Sequence, residues 1–254
     1  MSFSYAEPMQ VDSREGTWFY HTTELPEHGL IKGHWDLRDT AGAYLGNYDF
    51  AGKRALDVGA ASGFLTFEME KRGADVVSFD LDDGANWDVV PHFKIRDQLP
   101  AIRKAQSATL EGLKKAYWLS HRSLGSRARA FYGDIYDMPK ALGEFDVVFY
   151  GMIIGHLRDV FQALYMGARL CSDTMIVTSM YNNSEVATAG FMPSPTDASN
   201  YRIKSWWSMN IGTIRAMLGV LGFEVVDIVA SEPMCHAEKF EGRQKCTAVV
   251  AKRV

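Results

Sequence analysis

Five short runs of this chain are almost continuously apolar, and their spacing limits the possible folds more than any other feature. They are RALDVGA (54–60), ADVVSFD (74–80), FDVVFYG (145–151), TMIVTSM (174–180) and FEVVDIV (223–229). Runs of Val, Ile and Phe without polar alternation suit strands covered on both faces, as in parallel sheets. ARAFYGD (128–134) reads as a weaker sixth strand and CTAVVAKRV (246–254) as a seventh. Helical spacing fills the gaps. FLTFEMEKRG (64–73) ends in a glycine stop, LRDVFQALYMGARLC (157–171) repeats apolar residues every three to four positions, and SMNIGTIRAMLGVLGF (208–223) does the same. Strand and helix alternate, so the expected fold is α/β, with a mostly parallel sheet and right-handed crossovers.

Two segments stand outside that alternation. Residues 1–50 precede the first strand, and the connection from Asp82 to Arg127 is several times the usual crossover length. Its core, QLPAIRKAQSATLEGLKKAYWLSHRSLG, predicts one or two helices, and YNNSEVATAGFMPSPTDASNYRIKSWW (181–207) predicts a loop over the sheet edge. The chain has 254 residues, 47% hydrophobic, which suits one domain with an insertion. A net charge of −4 gives no global case for nucleic acid. The odd count of three cysteines, with no CxxC spacing, argues against a disulfide framework or structural zinc. The N-terminus lacks a signal-peptide pattern and no run reaches membrane-spanning length, so a soluble cytoplasmic protein is expected.

The first strand runs into Gly59-Ala60-Ala61-Ser62-Gly63, and the second ends in Asp80. A tight turn needs only one glycine. Small residues at Gly59, Ala61 and Gly63 would let a ligand approach the main chain, and a carboxylate at the neighbouring strand tip can accept bonds from a ribose diol. Together they predict a nucleoside site at the carboxyl edge of the sheet. A dinucleotide fingerprint would need a small residue where Phe64 stands.

The spacing Asp57-x-Gly59-x-Ala61-x-Gly63 resembles motif I of class I S-adenosylmethionine-dependent methyltransferases, with alanine in place of the middle glycine. The resemblance implies a Rossmann-like, seven-stranded, mostly parallel sheet with an antiparallel last strand. It covers about residues 50–254, giving an N-terminal lid or substrate segment at 1–50 and a methyltransferase domain at 51–254, with a helical insertion at about 84–128. The cofactor implied is S-adenosyl-L-methionine. Asp57 would approach its methionine part, the turn from Gly59 to Gly63 would cradle it, Asp80 would bind ribose and Leu81 would pack on adenine. YGDIYD would place Asp134 and Ile135 at the base, and FDVVFYG would place Tyr150 and Gly151 beside the reacting centre. GHWDLRD, HRSLGSRARAFYGDIYDMP, HLRDV and SWWSMN are similar to a group labelled as tRNA wobble-uridine methyltransferase-like, many of whose members act on small metabolites.

Methyl transfer from a sulfonium is an in-line displacement that depends on positioning and needs no metal. His156, just past the fourth strand, is the candidate base, with helix capping or a bond to backbone as its bland alternative. His21, Trp35 and Arg38 are candidate substrate contacts from the lid, as are Trp206, Trp207 and Asn210 ahead of the last helix. Asp80, Asp82 and Asp83 lack a histidine pair, so no metal is expected. Between Pro91 and Ala130, nine basic residues face two acids. That excess suits an acidic acceptor or RNA, and equally a solvated helical face. Tyr117, Trp118 and His121 suit a closing surface or a homodimer contact. The leading expectation is methylation of an oxygen or nitrogen of a small molecule. tRNA modification is the alternative, and a dinucleotide oxidoreductase comes third.

Overall fold

The structure, a computed structural model, describes residues 3–181 and 184–254; Asn182 and Asn183 of the expected loop lie outside them. The apolar runs form one seven-stranded sheet: β1 Arg54–Val58, β2 Asp75–Asp80, β3 Arg129–Tyr132, β4 Phe145–Gly151, β5 Cys171–Ser179, β6 Phe223–Ser231 and β7 Cys246–Arg253. The spatial order is β6-β7-β5-β4-β1-β2-β3. β1 to β5 pair in parallel, and β7 lies antiparallel between β5 and β6. From β1 the chain winds outward through β2 and β3, then returns to β4 on the other side. This makes the β1/β4 boundary the switch point, where crossovers leave in opposite directions.

Strand geometry sends alternate residues to opposite faces. Leu56, Val58, Val148 and Tyr150 face one core with helices α3 (Val160–Ala168) and α4 (Ile211–Val220). Ala55, Val147 and Phe149 face the other, with helix α1 (Phe64–Lys71) and the short helical turn Ala41–Tyr44. Asp159 and Asn210 cap α3 and α4, accepting the Gln162 and Thr213 amides.

The long insertion folds as a 3-10 turn, Phe93–Gln98, and a single 25-residue helix, α2 (Leu99–Ser123). Its apolar stripe packs toward the sheet. Tyr117 and Trp118 are buried against α1 and β3, so the aromatics read as a dimer face are core residues. Residues 3–50 are stitched across this side. Phe3 stacks on Phe131, the Trp18 amide donates to the Gly112 carbonyl at 2.9 Å, and Trp35–Asp36 pairs with Met234–Cys235. The expected loop at 181–207 holds a short strand, Ala189–Phe191, paired with Trp207–Met209, and a 3-10 turn, Arg202–Lys204. Among the described residues no helix is long and apolar enough to cross a membrane.

Candidate functional site

A cleft of about 320 Å³ opens at the carboxyl ends of β1, β2, β3 and β4. Its floor is the turn after β1. Gly59, Ala61 and Gly63 all take left-handed backbone, with φ of 83°, 50° and 87°. Asp80 fixes that turn from the neighbouring strand. Its Oδ2 accepts the Ala61 amide at 2.7 Å and its Oδ1 the Leu81 amide at 2.7 Å. Burial raises the Asp80 pKa, while the two amides and nearby Lys114 pull it down. A carboxylate has about four acceptor sites, so both oxygens keep capacity for a ligand hydroxyl.

Space explains the small residues in two different ways. A Cβ on Gly59 would lie 2.6 Å from Ile153 Cδ1, the end of a side chain that itself lines the cleft. A Cβ on Gly63 would lie 2.5 Å from Phe67 and 2.7 Å from Tyr117. Gly63 therefore serves the packing of α1 and α2, and the expectation that it opens the main chain to a ligand is corrected.

Asp57 lies beneath the turn at 1% exposure. Thr66 Oγ1 donates to its Oδ2 at 2.6 Å and is itself 2.9 Å from Ser78 Oγ, which lies 2.9 Å from Tyr117 Oη. Burial pushes the Asp57 carboxyl up to about 7. A smaller cavity of about 30 Å³ shares Tyr20, Gly59, Ala61, Gly151 and Met152 with the cleft and adds Asp57, His21 and Trp35. The His21 amide donates to Ser62 Oγ at 3.3 Å. Its ring is buried, its Nδ1 has no hydrogen-bond partner among the described residues, and desolvation lowers its pKa to about 3. A neutral imidazole and a protonatable acid thus border one small, otherwise largely apolar space.

The far wall carries His156. Its Nδ1 is 2.6 Å from the Lys204 carbonyl, so Nδ1 is the donor and Nε2 the acceptor. Burial lowers its pKa, with the bond to the Lys204 carbonyl opposing the shift. Asp88 ties this wall together. It accepts from Tyr136 Oη and from the Arg158 amide at 2.8 Å, while its carbonyl accepts the Trp206 indole N–H at 3.0 Å. Above the floor, Leu110 and Leu113 of α2 close the cleft. Lys114 Nζ donates to the Asp82 carbonyl at 2.6 Å, and Ser107 Oγ donates to Asp83 at 2.9 Å.

Of the residues singled out in the sequence, Gly59, Ala61, Asp80, Leu81, Asp134, Ile135, Gly151 and His156 line the cleft. Asp57, Ala60, His21 and Trp35 line the small cavity. The others stand outside both. Tyr150 is corrected as a reacting-centre contact: it faces the α3 core, with its hydroxyl donating to the Ala163 carbonyl at 2.7 Å. Arg38 is paired with Asp36 at 2.8 Å. Trp206 and Trp207 spend their indole N–H groups on the Asp88 and Arg158 carbonyls, and Asn210 is buried as a helix cap bonded to Thr188 and Val186. Ser62 anchors His21. Trp18, Tyr20, Trp87, Asp88, Tyr136, Met152 and Lys204 line the cleft without having been singled out. Their segments carry no periodicity that says which way a loop side chain turns. Met152 has the non-glycine φ of 55° directly after β4, a strained position of the kind that collects at binding sites. Among the described residues no group of three or more His, Cys, Asp or Glu side chains could hold a metal.

No protein-family model matches the chain, and no curated protein matches it in sequence. Solved structures do share its fold. They include the magnesium protoporphyrin IX methyltransferase ChlM from Synechocystis PCC 6803 with bound SAH, at 14% identity, 86% of this chain, 82% of that chain and TM-score 0.52. The Burkholderia thailandensis 1,6-didemethyltoxoflavin-N1-methyltransferase, bound to 1,6-didemethyltoxoflavin and S-adenosylhomocysteine, is similar at 16% identity, 86% and 78% coverage and TM-score 0.53. The N-terminal domain of EvdMO1 with SAH bound matches at 17% identity, 95% and 92% coverage and TM-score 0.58.

Proposed function

We propose that this protein is an S-adenosylmethionine-dependent methyltransferase acting on an oxygen or nitrogen of a small molecule. One convergence carries the reading. Asp80 at the β2 tip and Gly59 and Ala61 of the left-handed turn after β1 line the cleft, and a small cavity with buried Asp57 and a His21 Nδ1 that has no hydrogen-bond partner among the described residues shares five lining residues with it. A buried polar atom without a partner is costly, and a bound polar group would satisfy it. The residues fit the cofactor: Asp80 suits its ribose diol, Leu81, Asp134 and Ile135 its base, and Asp57, Gly59 and His21 its amino-acid end. When bound, the cofactor supplies an electrophilic methyl group. The fold is shared with enzymes named for the methylation of magnesium protoporphyrin IX and 1,6-didemethyltoxoflavin.

The remaining work falls to this chain's own residues. Residues 3–50 act as the lid, with Trp18 and Tyr20 on the cleft and His21 and Trp35 on the small cavity. Together with Leu110 and Leu113 they exclude water from the reacting centre. His156 receives the acceptor's proton on Nε2, because Lys204 holds Nδ1 in the donor role. RNA is the weaker acceptor. Lys94, Lys114, Lys115, Arg122 and Arg129 of the basic insertion are engaged within the chain, and the finer likeness to wobble-uridine enzymes rests on the sequence segments alone. Three buried free thiols are compatible with a reducing, cytoplasmic setting.

Calorimetric titration tests the reading. S-adenosylhomocysteine should bind and NADH should not. Asp80→Asn should weaken that binding by about 1–3 kcal/mol, the range for a lost charged hydrogen bond, with thermal unfolding checked in parallel because Asp80 also holds the turn. Absence of S-adenosylhomocysteine binding, or equal affinity in the variant, overturns the assignment.

A further inference from the structure

The acceptor end of the cleft holds a cation without a counter-ion. Lys204 ends the 3-10 turn before α4 and lines the cleft half-buried. Among the described residues it forms no ion pair. Desolvation lowers its pKa, and no carboxylate pulls it back up. Its Nζ stands 5.6 Å from the centre of the Trp87 ring, near the outer limit of a cation–π contact, which offsets only part of the cost of burial.

The nearby arginines are directed elsewhere. Arg202 reaches the Met192 carbonyl and Asp197, and Arg158, which does not line the cleft, lies over the Tyr136 ring. Three acids also line the cleft, but each accepts hydrogen bonds from its own surroundings: Asp80 from Ala61 and Leu81, Asp134 from the Tyr136 amide, and Asp88 from Tyr136 and Arg158. Lys204 is thus the one Lys or Arg among the described residues lining the cleft. Its backbone carbonyl also holds His156 Nδ1, so the ammonium and the proton-accepting Nε2 are set by the same residue.

Resting on the methyl-transfer reading above, we propose that the acceptor is a carboxylic acid: its carboxylate pairs with Lys204, its planar apolar body lies along Trp87, and the group to be methylated meets His156. A single ammonium balances a single negative charge. A phosphate dianion would call for a second cation, and among the described residues no other Lys or Arg lines the cleft. The pairing also recovers the desolvation already imposed on Lys204, so an acid gains where a neutral amide of the same shape does not.

The test uses the full chain saturated with S-adenosylhomocysteine and ligand-observed NMR. The probes are aryl carboxylates (benzoate, hydroxybenzoates, quinoline carboxylates), their matched primary carboxamides, and aryl phosphates. Carboxylates should bind in preference to both other sets. Lys204→Met should weaken them about tenfold or more and leave the amides and S-adenosylhomocysteine affinity within about twofold, while Lys204→Arg should keep the preference. Equal binding of acids and amides, no binding of any acid, stronger binding of phosphates, or a preference that survives Lys204→Met overturns the proposal and leaves the cofactor assignment standing. Failure of the wild-type chain to take up S-adenosylhomocysteine removes the cofactor assignment, and the proposal with it.

Discussion

Ala61 shows how much one position can encode. It stands where the motif it resembles carries glycine, and its φ of 50° puts an L-residue in left-handed backbone. Such a conformation costs about 1–2 kcal/mol per residue, against about 0.5–1 kcal/mol of extra chain entropy for glycine. Asp80 holds it there through the 2.7 Å bond to the Ala61 amide. Ala61→Gly should therefore leave the melting temperature unchanged or raise it slightly, by the equivalent of no more than about 1 kcal/mol; a clear drop in a thermal melt would show that the Ala61 methyl packs favourably. The residue types at this turn were legible in the sequence, and so were Asp57 and Asp80, because each follows directly from a strand end. Tyr150 was misplaced for an equally simple reason. Strand alternation turns it to the α3 face, one residue short of Gly151, and strand parity cannot be read from a run that is apolar on both faces.

Among the elements, α2 matters most for the site. The sequence predicted a helical insertion but not its seat. That seat is visible at Gly84, where a Cβ would lie 2.5 Å from both the Gln106 carbonyl carbon and the Ser107 nitrogen, so the loop after β2 touches the helix main chain. Main-chain atoms cannot swing aside. Gly84→Ala should push the loop and α2 apart, costing about 1–3 kcal/mol in stability. It should also weaken S-adenosylhomocysteine binding, since Leu110 and Leu113 would move with the helix. Chemical denaturation and a ligand titration read the two effects separately, and wild-type values in both would show that the helix can shift freely. The seven strands and three crossover helices were legible because buried β-runs and helical spacing are local signals. Which loop residues reach the cleft was not, because Trp87, Tyr136 and Lys204 are brought together only by tertiary contacts such as those of Asp88.

For the whole molecule, burial of Asp57 sets stability against binding. Its folded pKa, about 7, lies above its unfolded value of about 3.8. The contribution is full below the unfolded value and is lost as pH rises through about 7, so the ligand-free protein should weaken between about pH 4 and pH 7 and then level off. Asp57→Asn at pH 8 should stabilise the ligand-free chain, by on the order of 4 kcal/mol before any loss at Thr66, and weaken cofactor binding. A variant less stable at pH 8, or of unchanged cofactor affinity, contradicts this. His156 moves the other way. Its pKa is lowered, so it stays neutral and able to accept a proton below the usual imidazole range. Turnover limited by His156 should fall only below pH 6.5, and a decline centred at or above that value in a pH–rate profile would exclude it as the base.

Asp88 has a consequence for how such a pocket can change. It belongs to the insertion, yet it fastens Tyr136 after β3, Arg158 after β4 and Trp206 ahead of α4. Three segments far apart along the chain are moored to one post. Drift in any one of them strains the other two, so new acceptor preferences should arise through coordinated replacement around Asp88 and rarely through isolated changes at the rim.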